Sequence, residues 1–219
     1  MFRDIIGTRK RTSLLCDAIE EVLNMLERAQ HMFGASCGTL LSCDNADMDV
    51  DVDREDRDIN AGERLVRRMI FQHLTINPEQ DLPTSLALVS IVHDVERLGD
   101  YAKNLTELNR WSDLCAGDTD CSRMCREIHE MIAPLFGQVI EAFRKSDTEV
   151  ARQVMRRHVE IKERTDVFVE SVMHYPDSKE AVIYSLASRF LRRTSAHLSN
   201  VASSLVNPLD RISGKEAQG

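Results

Sequence analysis

Between Thr12 and Leu205 apolar residues return every three to four positions in six separate stretches, and very little interrupts them. That periodicity is the signature of amphipathic helices. Only 9 glycines and 5 prolines punctuate 219 residues, which argues against a turn-rich β protein and for long helices. The first stretch opens near Thr12, a plausible cap, and carries Leu15, Ile19, Val22, Leu23, Leu26 and Ala29 beyond Phe33, its end blurring around Gly34 to Gly38. An acidic run from Asp44 to Asp58 follows. The second helix carries Ile59, Val66, Met69, Ile70 and Leu74 up to Asn77-Pro78, where proline blocks continuation. The third starts near Pro83, a residue suited to a first helical turn, and runs toward Leu108.

The polar interval from Asn109 to Asp120 reads as a connector. A fourth helix follows, with Ile128, Ile132, Leu135, Val139 and Phe143. Ser146-Asp147 caps a fifth, holding Val150, Val154, Ile161, Phe168 and Val172. Tyr175-Pro176-Asp177 breaks it. The sixth runs from about Lys179 through Ile183, Leu191 and Leu198 to Leu205, and Asn207-Pro208 stops it. The chain also repeats at an offset of 96 residues: 102–105 lines up with 198–201, Arg97 with Arg193 and Asn104 with Asn200. Long helices with short connectors read as antiparallel bundles. Two three-helix units in tandem are the simplest account. The expected fold is therefore all-α, with residues 1–110 as the first repeat, 120–208 as the second and 209–219 as a tail.

The chemistry concentrates in the third helix. Glu96 and Asp100 stand four residues apart beside an apolar stripe of Ile91, Val95, Leu98, Ala102 and Leu105, so they project from one face. Like charges at this spacing repel by a few tenths of a kcal/mol. A hard metal ion would turn that repulsion into attraction. The competing account is a solvated face on which Arg97 and Lys103 screen both acids.

Other features exclude more than they assign. A formal net charge of −8 gives no overall field for nucleic acid or an anionic membrane. No run of eighteen apolar residues exists, and the early charges Arg3, Asp4, Arg9, Lys10 and Arg11 leave no signal-peptide core, so the expected location is the cytoplasm. The cysteines are then expected as reduced thiols. Cys115, Cys121 and Cys125, with His129 one turn on, lack the spacing of a closed tetrahedral metal site. The run Asp47-x-Asp49-x-Asp51-x-Asp53 resembles a calcium loop. However, Val52 stands where glycine is needed and Asp58 where a bidentate glutamate is needed, so it reads instead as an acidic helix start. No nucleophile elbow or glycine-rich phosphate loop is present, and catalysis is not expected.

The segment Asp94-Val95-Glu96-Arg97-Leu98-Gly99-Asp100-Tyr101-Ala102-Lys103-Asn104, following a helix that opens Asp56-Arg57-Asp58-Ile59, resembles the third helix of the PhoU family of phosphate-uptake regulators. The resemblance implies two three-helix bundles from an internal repeat, and acidic E/D-x-x-x-D motifs that hold iron, zinc, magnesium, manganese or other cations. It makes Glu96 and Asp100 metal ligands facing Asp56 and Asn60 of the neighbouring antiparallel helix, with His93 a possible nitrogen ligand that is more simply a packed or exposed side chain. The second repeat departs from the pattern: Arg192 takes the place of Glu96 and Ala196 that of Asp100, while helix five has Lys162 and Asp166. At most one intact carboxylate site follows.

The implied function is regulatory. A homodimeric adaptor would restrain phosphate import or signalling by contacting a phosphate transporter component or a sensor kinase, reaching the membrane only through partners. Two alternatives stand beside it: an accessory subunit of a sodium- or proton-coupled phosphate carrier, and a helical-bundle metal-handling protein. Against the latter, His93-x-x-Glu96 reverses the Glu-x-x-His order of ferritin-like sites and has no second copy.

Overall fold

The structure, a computed structural model, describes residues 13–41, 50–108, 111 and 119–207, with side chains described from residue 14 and, in the first helix, up to 36. Six helices follow one another: α1 Ser13–Leu41, α2 Val52–Ile76, α3 Leu82–Leu108, α4 Asp120–Lys145, α5 Thr148–Met173 and α6 Ser178–Val206. No strand occurs among the described residues. The first helix continues past Gly34, where the sequence suggested fraying. Gly34 is exposed, so a glycine there weakens the helix without ending it.

Local chemistry sets the starts. Asp51 caps α2 by accepting from the Arg54 amide at 3.0 Å, which turns the last part of the acidic run into a helix opening. Asp47 and Asp49, the earlier half of the calcium-loop pattern, lie outside the described residues. Thr119 and Ser122 form a reciprocal capping box at the head of α4. Asp147 accepts from the Glu149 and Val150 amides at the start of α5, and Asp177 from Glu180 at the start of α6. Ser146, between α4 and α5, adopts a left-handed conformation at φ 52°, which reverses the chain within two residues. Pro134 sits inside α4, where the Glu130 carbonyl gets no amide from it.

The buried stripes then decide the packing. Within the first half α1 packs on α2 and α3 and α2 packs on α3; α4, α5 and α6 repeat the arrangement. The halves meet through corresponding helices, α1 against α4 and α3 against α6, which leaves α2 and α5 outermost. At the first contact Phe33 of α1 lies 5.2 Å, ring to ring, from Phe136 of α4, both fully buried. At the second, Asp94 of α3 accepts from Asn200 of α6 at 2.8 Å and stands 2.6 Å from His197 Nδ1. The residues 96 positions away from Asp94 and His197, namely Phe190 and Tyr101, also face each other, with rings 6.0 Å apart. The α3–α6 crossing therefore has two-fold symmetry in position but not in chemistry: one end is an acid with a histidine, the other an aromatic pair.

Helix α2 approaches α3 closely at Gly99, where a Cβ would stand 2.9 Å from Ile59 Cδ1. This contact fixes the antiparallel register, placing Ile59 opposite Gly99, and so determines which side chains meet farther along.

Candidate metal centre

With Ile59 opposite Gly99, one turn further along α2 brings Glu63 opposite Glu96. One ligand atom from each of Glu63, His93 and Glu96 lies within 4.8 Å of the other two, and among the described residues this is the group of three metal-ligating side chains that comes together. His93 Nδ1 is 3.2 Å from Glu63 Oε1 and 3.5 Å from Glu96 Oε2. Both carboxylates are largely sheltered, with side chains 12% exposed, whereas His93 is half exposed. Arginines stand at the rim. Arg67 Nη2 is 2.9 Å from Glu63, and Arg97 is 3.7 Å from Glu96 and 2.7 Å from Asp100. Arg97 also donates to His93 Nε2 at 3.3 Å, which leaves the proton of a neutral ring on Nδ1, facing Glu63.

The residues expected as ligands are distributed differently. Glu96 is in the cluster. Asp100 turns to Arg97. Asp56 lies two turns before Glu63 and meets Lys103 at 3.1 Å, which also reaches Asp53 at 3.1 Å. The Asn60 amide donates to the Asp56 carbonyl of its own helix. Glu63 was not legible as a member from carboxylate spacing, because the register between two helices is a tertiary property. A charge signal was available, however. Pairing Lys103 with Asp56 fixes a constant sum of residue numbers across the two helices and sets Glu63 opposite Glu96.

The electrostatics fit a cation. Glu96 Oε2 is buried with no hydrogen-bond partner among the described residues. Burial, and then the neighbouring charge of Asp100, raises the Glu96 carboxyl above the ordinary glutamate range. An acid whose folded pKa is raised binds its proton more readily in the folded than in the unfolded chain. Its contribution to stability is therefore present at low pH and lost as pH rises from the ordinary glutamate value through the folded one. In chelator-treated protein Glu96→Gln is expected to be about 0.5–1 kcal/mol more stable than the parent at pH 7. The gap should close below the ordinary glutamate pKa. Denaturant titrations at the two pH values measure this, and a variant less stable at pH 7 would contradict it.

Among the described residues the cysteines show no comparable grouping. Burial pushes Cys125 up to about 12 and raises Cys121, which makes both poor thiolates. His129 stacks on Phe33 at 5.0 Å, and burial pushes it down to about 4. Cys115 lies outside the described residues. No helix among the described residues is long and apolar enough to cross a membrane.

Six helices arranged as two matching three-helix units, with an acid-rich seam in the first, define a duplicated helical-bundle class. The family model described as the PhoU domain matches residues 22–108 and 122–205, so the chain belongs to the PhoU domain family. The fold is similar to that in the crystal structure of PhoU from Pseudomonas aeruginosa, at 20% identity and a TM-score of 0.79, covering 89% of this chain and 96% of that one. It is also similar to the crystal structure of the phosphate transport system regulatory protein PhoU from Streptococcus pneumoniae, at 14% identity and a TM-score of 0.78, covering 88% and 93%. A search of curated protein sequences finds no match.

Proposed function

We propose that this protein regulates phosphate transport or phosphate-responsive signalling through contacts with a transporter component or a sensor kinase on the cytoplasmic side. The observation that carries this reading is the PhoU domain match over both repeats. Helical bundles present long grooves between exposed faces that suit partner helices, so the architecture is compatible with an adaptor. Deletion of the gene is expected to alter phosphate uptake and phosphate-responsive expression, and unchanged uptake and expression would reject the reading. An affinity pull-down then separates the two partner classes. Recovery of a sodium- or proton-coupled carrier, in place of an ATP-driven transporter component or a kinase, would transfer the role to an accessory subunit.

Within this role the first repeat holds a divalent or trivalent cation at Glu63, His93 and Glu96, with water completing the shell. Two carboxylate oxygens and one imidazole nitrogen suit zinc, iron or manganese better than calcium, which prefers an all-oxygen shell. Coordination at His93 Nδ1 moves the ring proton to Nε2, so Arg97 must release its hydrogen bond and remain with Asp100. Elemental analysis of the purified parent is expected to find metal that the Glu63→Gln, Glu96→Gln double variant has lost and that Asp56→Asn keeps. Equal metal in parent and double variant would remove this centre and leave the fold untouched.

A further inference from the structure

The second repeat has a groove at the place where the first has its acidic cluster. It holds about 370 Å³ and is lined by Val169 of α5 and by Ser185, Ser188, Arg189, Arg192 and Arg193 of α6. Shifted by 96 residues, His93 corresponds to Arg189, Glu96 to Arg192 and Arg97 to Arg193. Duplication has thus preserved the location while inverting the charge. We propose that this groove binds a phosphate-type oxyanion, held by the guanidinium groups of Arg189, Arg192 and Arg193.

Three arginines at i, i+3 and i+4 share one helical face, and like charges so placed repel unless an anion lies among them. Only part of this charge is used internally. Arg192 ion-pairs with Asp166 of α5, and Arg193 Nε donates to the Tyr101 hydroxyl at 3.3 Å. Arg189 is exposed and has no ion-pair partner among the described residues. Three guanidiniums against one carboxylate leave a net positive groove. Each guanidinium also carries five N–H donors, so those already engaged keep donors for a ligand. The nearby His158 supports this sign: burial first, then the charges of Arg192 and Lys162, disfavour its protonated form. Planar guanidinium forks match tetrahedral oxyanions bidentately, which selects phosphate chemistry over a simple halide.

The ligand can be free orthophosphate or the phosphate of a monoester, and the experiment separates them. Chelator-treated full-length protein in phosphate-free buffer is titrated calorimetrically with inorganic phosphate and, separately, with glycerol phosphate. Saturable binding is expected with a dissociation constant of about 1 mM or tighter. Arg189→Gln and Arg193→Gln are each expected to weaken it about tenfold, the loss of one charge-assisted contact. The Glu63→Gln, Glu96→Gln variant should bind as the parent does, which separates the groove from any metal-held phosphate. Tighter binding of the free ion assigns orthophosphate, and tighter binding of the ester assigns a phosphorylated ligand. Absence of saturable binding for both, or affinity unchanged in Arg189→Gln, overturns the site. Because Arg189 is exposed and has no ion-pair partner among the described residues, its replacement leaves folding intact, and coincident melting curves verify this. The measurement involves no transport step, so its outcome is separate from that of the regulatory reading.

Discussion

Phe136→Ala is expected to destabilise the folded chain by about 3–4 kcal/mol, lowering the thermal midpoint by roughly 10 °C. Phe136 is fully buried where α4 meets α1, against Phe33, which also stacks on the His129 ring at 5.0 Å. Truncation removes the transfer free energy of a large aromatic side chain and opens a cavity that helices anchored at both ends cannot close. The position also lies in one of the two main helix contacts that join the halves among the described residues, so the loss should weaken their docking as well as the core. Scanning calorimetry measures both effects. The expected result is a single transition moved downward. A shift of less than about 3 °C would mean that the α1–α4 contact contributes little to stability.

Asp94→Ala should cost about 3 kcal/mol, and for a different reason. Asp94 Oδ1 receives the Asn200 amide at 2.8 Å and lies 2.6 Å from His197 Nδ1, with the carboxylate and imidazole each only 13% exposed. Removing the acid leaves two sheltered polar groups without partners, and each unsatisfied group of this kind costs about 1–3 kcal/mol. Among the described residues His197 Nε2 already lacks a partner and the ring is held by stacking on Tyr101 at 5.5 Å, so the network there has no second acceptor to fall back on. Asp94→Leu fills the same space without restoring an acceptor and should be no better than alanine by more than about 1 kcal/mol. Urea unfolding of both variants tests this. A leucine variant as stable as the parent would show that packing, not hydrogen bonding, joins α3 to α6.

The sequence was most informative where one helix alone decides the outcome. Pro83 in a first turn, Asp147 and the 3.6-residue stripes all depend on neighbours a few positions away, and the starts of α3 and α5 lie where those signals stand. The repeat was legible too, because duplication leaves an offset that needs no geometry to detect. What depends on two helices at once was not legible. Glu63 enters the cluster only through the Ile59–Gly99 register. Asp94 faces His197 only because α3 crosses α6. The capping pair Thr119 and Ser122 is not legible either, because it lies within a polar interval that reads as connector.

The crossing of α3 and α6 also bears on how such a chain diversifies. In a self-associating half-length ancestor every substitution appears twice across the dyad, so an acid introduced on one side confronts its own copy. Fusion into one polypeptide removes that coupling. Asp94 can meet a histidine while its counterpart Phe190 meets Tyr101, and a carboxylate nest can persist on one flank while arginines accumulate on the other. Two flanks of opposite charge then become possible on one duplicated scaffold.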